Sequence, residues 1–166
     1  MAIQTTQEQL VAEIEDIYDA EHRLLKGMQL MEQQASDKTL QRLLADHIRE
    51  TEGQIKNLDE VFGLLGRQPR AQKCDAATGL VMEAEKAMDE AGTDGIRDYA
   101  IGTAAAKSEH YEIASYRGLI TVAKGIGKNQ IVALLQHNLR QEERTAQKLE
   151  KSATQLLEQA KANEGK

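Results

Sequence analysis

Residues 109–142 read EHYEIASYRGLITVAKGIGKNQIVALLQHNLRQE. Apolar side chains recur every three or four residues on both sides of Gly125-Ile126-Gly127, which is the pattern of two amphipathic helices. Glycine is common just after a helix end because it accepts the left-handed backbone conformation needed there, so the Gly-Ile-Gly segment predicts a tight turn. The stretch therefore predicts an antiparallel pair, helix C before the turn and helix D after it.

The preceding half of the chain predicts a second pair, helices A and B. Thr5 followed by Glu8 matches a capping box at the start of helix A, and Ser36-Asp37 offers an N-cap for helix B. Pro69 stops helix B, and a shorter amphipathic segment follows in the connection to helix C. The polar tail, 160–166, is expected to fray. The predicted bounds are about 6–34 for helix A, 37–65 for B, 75–90 for the short helix, 94–124 for C and 128–159 for D.

The composition favours an all-α fold. The 166 residues include one Phe, four Tyr and no Trp, so the residues that strands favour are scarce. Four long helices, two short turns and one long crossover predict a ferritin-like four-helix bundle of two antiparallel hairpins, A–B and C–D. The additional short helix lies in the crossover between B and C, and residues 1–166 form a single domain. An extended coiled coil fits less well because the turns are short and each helix keeps its own stripe.

Charge and composition exclude several classes of function. There are 21 Lys and Arg against 27 Asp and Glu, a formal net charge of −6, which argues against a nucleic-acid partner. No apolar run reaches the roughly 18 residues of a membrane-spanning helix, and the N-terminus lacks the pattern of a secretory signal. The single Cys74 cannot form an intrachain disulfide, and we assign it no role. We expect a soluble cytoplasmic protein with no membrane partner.

Every long helix carries at least one carboxylate within its apolar stripe. Glu21 precedes the A–B turn by about as many residues as Glu50 follows it, so antiparallel packing places them at one level. The same relation holds for helices C and D about their turn. The side chains expected to converge at mid-bundle are Glu21, His47, Glu50, Glu109, Glu112 and Glu142.

Several buried carboxylates at close range repel each other unless a proton or a cation lies between them. No Lys or Arg falls on the stripes. Oxygen-rich sites with one imidazole suit iron, manganese or zinc, and inward carboxylates from four helices build the di-metal sites of helical bundles. We therefore predict a carboxylate-bridged centre for two metal ions, ligated by the six residues above. Alternatively, a stripe glutamate marks only a partly buried helix face, and His47 is a hydrogen-bonded core histidine.

Other polar side chains lie beside the predicted ligands. Gln54, Asn138 and Thr145 are expected to support the ligands or simply to be polar core residues. Three tyrosines lie near the centre, and we expect each hydroxyl to bond to a carboxylate, with a redox-active tyrosine as the weaker alternative: Tyr18, Tyr111 and Tyr116. Three further histidines are interpreted as solvated or interfacial: His22, His110 and His137.

Four segments carry a resemblance to a known family: Tyr18-Asp19-Ala20-Glu21, His47-Ile48-Arg49-Glu50-Thr51, the run from Glu109 to Tyr116, and Glu142-Glu143. They resemble the YciF family of bacterial stress-response proteins, which belongs to the ferritin-like superfamily. The resemblance covers nearly the whole chain. It implies a four-helix bundle with an extra helix, usually a homodimer, in a family whose biochemical activity is not established.

A wider resemblance is to rubrerythrin, whose iron ligands include glutamates on all four helices and histidines three residues after those of the second and fourth. The glutamates are matched by Glu21, Glu50, Glu109, Glu112 and Glu142. The two histidines are not matched, since Gly53 and Thr145 stand three residues after Glu50 and Glu142. His47, three residues before Glu50, could supply a nitrogen ligand from the opposite side. We expect iron, with manganese or zinc as alternatives.

Three functions follow as hypotheses. The first is a ferritin-like di-metal protein of stress response with oxidase or peroxidase chemistry on peroxide or oxygen. In it Glu21 and Glu112 are terminal ligands, Glu50 and Glu142 bridge, and Glu109 and His47 complete the shell; no catalytic residue is assigned. The second is a non-catalytic structural or interaction protein whose metal only stabilises the bundle. The third is storage in a ferritin-like cage, which a dimer could not perform.

Overall fold

The computed structural model describes residues 2–162, and this range contains five α-helices and no strand. The predicted all-α class is therefore confirmed. Helices A, B, C and D correspond to α1, α2, α4 and α5, and the short crossover helix is α3. The bounds are α1 Thr6–Gln34, α2 Lys38–Leu64, α3 Asp75–Asp89, α4 Asp94–Gly125 and α5 Asn129–Ala162.

The largest difference from the predicted bounds is at the end of α5. This helix continues to Ala162, so residues 160–162, which were expected to fray, are helical. The reason is burial, because the side chain of Ala160 lies within the core. The remainder of the expected frayed tail, 163–166, lies outside the described residues.

Local sequence signals set the helix ends. The Thr5 hydroxyl accepts the Glu8 backbone N–H at 3.1 Å, and the Glu8 carboxylate accepts the Thr5 N–H at 3.0 Å, which completes the predicted capping box. Asp37 caps α2 by accepting the backbone N–H of Leu40 at 2.8 Å. Gly127 has a φ of 71°, the left-handed conformation that the turn between α4 and α5 requires.

The long helices form two hairpins, α1–α2 and α4–α5, which lie side by side. Contacts between α1 and α4 and between α2 and α5 join the hairpins, and α3 packs against α1 and α4. The predicted bundle with a crossover helix is thus the observed architecture. In residues 2–162, no helix combines the length and hydrophobicity needed to cross a membrane.

Cys74 has a structural role that the sequence analysis missed. It is the N-cap of α3, and its sulfur accepts the backbone N–H of Ala77 at 3.4 Å. Its own N–H donates to Asp19 at 2.8 Å, and its sulfur lies 3.0 Å from the Tyr111 hydroxyl. The buried thiol therefore helps to anchor the crossover helix to α1 and α4.

The apolar core consists of two separate halves. One half lies toward the α4–α5 turn and includes Leu10, Phe62 and Leu135, and the other lies toward the α1–α2 turn and includes Leu40 and Leu156. Between them is a level of buried polar side chains, which we call the polar layer. Its members are Glu21, His47, Thr51, Gln54, Ser108, Glu109, Glu112, Asn138, Glu142 and Thr145.

Candidate metal centre

The structure brings together five of the six predicted ligands in the polar layer. Each of these side chains is at most 2% exposed, although each can carry a charge. They come from all four long helices, as the stripe positions predicted. The five are Glu21 on α1, His47 on α2, Glu109 and Glu112 on α4, and Glu142 on α5.

Two groups of three side chains have the spacing of metal sites. In each group the candidate ligand atoms lie within 4.8 Å of one another. The histidine group consists of His47, Glu109 and Glu142, and the carboxylate group consists of Glu21, Glu112 and Glu142. Glu142 belongs to both groups, so one carboxylate lies where it could bridge two cations.

Five candidate ligand atoms have no hydrogen-bond partner among the described residues: Glu21 Oε2, His47 Nε2, Glu109 Oε2, Glu112 Oε2 and Glu142 Oε2. His47 Nε2 lies 3.1 Å from Glu109 Oε2 and 3.3 Å from Glu142 Oε2, close enough for ion pairs with a protonated ring but without hydrogen-bond alignment. Buried polar atoms are nearly always hydrogen-bonded. Five unpartnered ones at a single level fit a cation site.

Other atoms of the same residues are held by neutral hydrogen-bonding groups. The Tyr116 hydroxyl donates to Glu21 Oε1, and the Gln54 amide donates to Glu142 Oε1. The predicted supporting residues Gln54, Asn138 and Thr145 are all buried. Gln54 contacts a candidate ligand directly, and Asn138 reaches Glu21 only through Tyr116. These contacts leave the second oxygen, Oε2, of both Glu21 and Glu142 without a hydrogen-bond partner among the described residues.

His47 is oriented to offer its Nε2 atom. Its Nδ1 atom lies 3.1 Å from the Thr145 hydroxyl and 3.3 Å from Glu50 Oε2. In metal sites, a hydrogen bond at one ring nitrogen fixes the tautomer and leaves the other nitrogen as the ligand. Thr145, which stands where the rubrerythrin pattern has a histidine, thus contacts the imidazole that comes from the neighbouring helix α2.

The electrostatics of the cluster favour a cation. Burial, with the nearby charge of Glu142, raises the pKa of Glu21 to about 8. The same two causes raise the pKa values of Glu109 and Glu112. Burial by itself lowers the pKa of His47, but the adjacent carboxylates outweigh it and raise the pKa well above its usual value. Without a cation the cluster must retain protons, and a divalent ion could replace them.

Glu50 lies at the edge of the cluster and in neither of the two groups. Its side chain is 29% exposed, and its carboxylate is 3.5 Å from the exposed Arg144 guanidinium. The hydrogen bond to His47 lowers the pKa of Glu50. Arg144 lies outside the apolar stripe, so its position in the sequence did not indicate a contact with Glu50. The assignment of Glu50 as a ligand stays a prediction.

The face of α2 differs slightly from the predicted stripe. Thr51 is buried at the level where Glu50 was expected. A helix has 3.6 residues per turn, so a step of three or of four from His47 keeps nearly the same face. The stripe alone could not distinguish these two neighbouring residues.

All three tyrosines bond to a carboxylate, as expected. Tyr18 donates to Asp59 at 2.8 Å and Tyr111 donates to Asp16 at 3.1 Å, while Tyr116 donates to Glu21. Only Tyr116 therefore contacts a predicted ligand. The histidines outside the stripes are not part of the cluster: His137 is exposed, His22 packs against the Tyr18 ring, and His110 pairs with Glu150 at the surface.

Comparisons with known proteins show the family to which the chain belongs. The family described as a domain of unknown function, DUF892, matches residues 5–162. Protein YciF of Escherichia coli K12 is 33% identical over 150 residues, which cover 90% of each chain. The resemblance to the YciF family that the sequence predicted is therefore confirmed.

Solved structures agree with both the fold and the family. The stress protein YciF of Escherichia coli has a TM-score of 0.89 at 31% identity, covering 94% of this chain and 99% of that one. YcfI of Rhodopseudomonas palustris has a TM-score of 0.88 at 38% identity, covering 89% and 94%. A protein of Xanthomonas campestris, 23% identical with a TM-score of 0.74, shares the fold. The family match over residues 5–162 and the 33% identity to YciF over 90% of the chain show that the chain belongs to the DUF892 family of YciF homologues.

Proposed function

We propose that the chain is a di-metal protein of the bacterial stress response and that its centre reacts with a small oxidant. The observation that carries the proposal is the set of five unpartnered ligand atoms arranged as two groups around Glu142. His47 and Glu109 would hold one ion with Glu142, and Glu21 and Glu112 would hold the other. Iron is the proposed metal, with manganese or zinc as alternatives.

Charge balance supports two ions rather than one. The cluster contains four carboxylates, Glu21, Glu109, Glu112 and Glu142, and one imidazole. Fully ionised carboxylates with a neutral imidazole would carry four negative charges, which two divalent cations would balance. Burying these charges without compensation is strongly unfavourable, so paired cations and hydrogen bonds are the usual solution. Oxygen donors with one imidazole also fit iron, manganese or zinc.

The surroundings suit a small substrate. Bound metal would supply the redox chemistry or the Lewis acidity for peroxide or oxygen. The protein contributes ligands that are almost fully buried, which limits the access of bulk water. Glu50, which is partly exposed, and Arg144, which is exposed, lie on the His47 side of the cluster, on α2 and α5.

Metal content and turnover test the proposal together. The protein is prepared without metal, loaded with Fe(II), Mn(II) or Zn(II), and passed through a desalting column before elemental analysis. We expect about two ions per chain, the number in a carboxylate-bridged bundle site. The iron-loaded protein should consume hydrogen peroxide or oxygen faster than the same amount of free iron. Fewer than about one ion per chain with all three metals would contradict the proposal.

A non-catalytic structural role is the second candidate. Burial of four carboxylates destabilises the metal-free bundle, so a bound ion would stabilise the fold even without turnover. The relative from Rhodopseudomonas palustris is provisionally described as a structural protein. This candidate predicts that metal raises the melting temperature while peroxide and oxygen consumption stay at the level of free metal.

The homodimer, which the family resemblance implies, and the cytoplasmic location, which the single cysteine and the N-terminal sequence favour, remain predictions. Light scattering of the metal-loaded protein tests the oligomeric state. A dimer would support the resemblance and would exclude storage in a cage, since two bundles cannot enclose a mineral core. A large closed assembly would favour storage instead.

A further inference from the structure

A chain of hydrogen bonds connects all four long helices through the polar layer. Asn57 on α2 donates from Nδ2 to Asn138 Oδ1 on α5 at 2.7 Å. Asn138 Nδ2 donates to the Tyr116 hydroxyl on α4 at 3.0 Å, and Tyr116 donates to Glu21 Oε1 on α1. Asn138, Tyr116 and Glu21 are each fully buried. The chain therefore ends on a candidate ligand of the carboxylate group.

The direction of these hydrogen bonds is fixed by one backbone carbonyl. Asn138 Nδ2 also lies 3.3 Å from the carbonyl oxygen of Gln54. A carbonyl can only accept, so the atom facing it must be the amide nitrogen of Asn138. The same nitrogen then donates to the Tyr116 oxygen. The tyrosine has a single hydroxyl proton, and that proton is directed to Glu21.

The consequence for Glu21 is that its two oxygens differ. Oε1 accepts the Tyr116 proton, whereas Oε2 has no hydrogen-bond partner among the described residues. Glu21 itself belongs to the carboxylate group. A carboxylate without the tyrosine could rotate and present either oxygen or both. With the tyrosine in place, Glu21 Oε1 is engaged in a hydrogen bond, and Oε2 is the oxygen available to a cation.

We propose that Tyr116 is a positioning residue that presents Glu21 to the metal of the carboxylate group through Oε2 alone. This inference rests on the proposed di-metal function. Tyr116 does not hold a ligand of the histidine group, because Glu142 is held by Gln54 and His47 by Thr145 and Glu50. Loss of the hydroxyl should therefore affect one metal position and spare the other.

The test compares Tyr116→Phe with Tyr18→Phe. Each substitution removes one phenol oxygen that donates to a carboxylate, but the partner of Tyr18 is Asp59, outside the cluster. Metal-free samples are titrated with Mn(II) or Co(II), and each binding step is followed by calorimetry and by the spectrum of the bound ion. We expect about 10- to 100-fold weaker binding at one step in Tyr116→Phe, the range found when a supporting hydrogen bond to a ligand is removed. The other step, and both steps of Tyr18→Phe, should stay as in the wild type.

A double-mutant cycle separates positioning from general packing. If Tyr116 acts through Glu21, then Tyr116→Phe should add no further loss of affinity in a Glu21→Gln background. An additive loss in the double variant would overturn the proposal, as would two unchanged binding steps in Tyr116→Phe. Failure of the wild type to bind any metal would instead refute the di-metal function itself.

A crystal structure of the metal-loaded wild type provides a second measurement that does not depend on a variant folding. The Tyr116 oxygen should remain within hydrogen-bond distance of Glu21 Oε1 while Oε2 binds the ion. A Glu21 carboxylate that binds through both oxygens, or a tyrosine turned away from it, would overturn the proposal.

Discussion

The histidine group and the carboxylate group share Glu142 but differ in their surroundings. The histidine group contains an imidazole and lies beside the partly exposed Glu50 and Arg144. The carboxylate group offers only oxygen atoms and lies beside the buried Tyr116 and Asn138. One bundle thus builds two chemically unequal positions from ligands at the same level.

This difference indicates a division of roles. Imidazole nitrogen favours zinc and iron, whereas an all-oxygen site also suits manganese. The histidine group lies beside the partly exposed Glu50, so exchange and reaction with a small oxidant are expected there first. The carboxylate group, held by neutral donors, should bind its ion more statically. The two positions are therefore expected to respond differently to substitution.

The largest effect is expected at the shared ligand. Glu142→Gln removes a charge from both groups, so we expect the variant to lose both ions while the helices remain folded. Elemental analysis after desalting measures the loss. Glu143→Gln is the matched control, because Glu143 is the next residue and pairs with Arg117 at the surface. Retention of two ions by Glu142→Gln would show that the groups do not share this carboxylate.

Separate substitutions should divide the two positions. His47→Gln is expected to bind the ion of the histidine group too weakly to retain it through desalting, and Glu21→Gln to do the same for the ion of the carboxylate group. Each variant should then retain about one ion per chain after desalting. His110→Gln controls for the histidine change, since His110 pairs with Glu150 on the surface. If both variants retain two ions per chain, the metals bind elsewhere. If neither variant retains any ion, the two positions bind metal only when both are intact.

The metal-free protein should lose stability as pH rises from 6 to 8. The pKa of Glu21 is raised to about 8 from the 4.5 expected in the unfolded chain, so folding favours its protonated form. This contribution to stability declines as pH rises from 4.5 and is lost near pH 8, a range that includes the interval from pH 6 to 8. The raised pKa values of Glu109, Glu112 and His47 act in the same direction. Carboxyl groups with lowered pKa values, such as Asp19 and Asp37, are already ionised at pH 6. They therefore do not offset the loss of stability between pH 6 and pH 8.

Thermal unfolding at several pH values measures this loss of stability. For a chain of this size each kcal/mol lowers the melting temperature by about 2–4 °C. Saturating metal should remove most of the decline, because the carboxylates then have a cation to compensate them. A melting temperature that rises between pH 6 and pH 8 without metal would contradict the electrostatics described above.

The smallest effect on metal content is expected at the edge of the cluster. Glu50→Ala should reduce metal content less than Glu142→Ala, because Glu50 lies outside both groups and contacts His47 only at Nδ1. It should nevertheless reduce the content more than His110→Ala. Metal analysis of the three variants side by side provides the measurement. Equal retention in all three would contradict the predicted set of ligands.

Much of the fold could be predicted because its signals are local. Thr5 and Glu8 are three residues apart, and the glycine turn before α5 requires no knowledge of the neighbouring helices. Five of the predicted ligands were brought together because helix periodicity sets the face and antiparallel packing sets the level. These two rules need only the sequence and the positions of the turns.

The features of the fold and of the candidate site that could not be predicted depend on contacts between residues that are distant in the sequence. Thr51 replaces Glu50 on the buried face because neighbouring positions satisfy the helical period almost equally, and only the packing of α2 against α5 decides between them. Cys74 acquires its role from Asp19 and Tyr111, which are far away in the sequence. The bond between Tyr116 and Glu21 likewise joins residues 95 positions apart.

Anomalous diffraction from crystals of the metal-loaded protein tests the central claim most directly. Data collected at the absorption edge of iron or manganese locate each ion independently of the protein's electron density. Two peaks are predicted in the polar layer, on opposite sides of the Glu142 carboxylate, one within ligand distance of His47 Nε2 and the other of Glu21 Oε2. No peak at this level, or peaks only among surface carboxylates, would contradict a di-metal centre in this bundle.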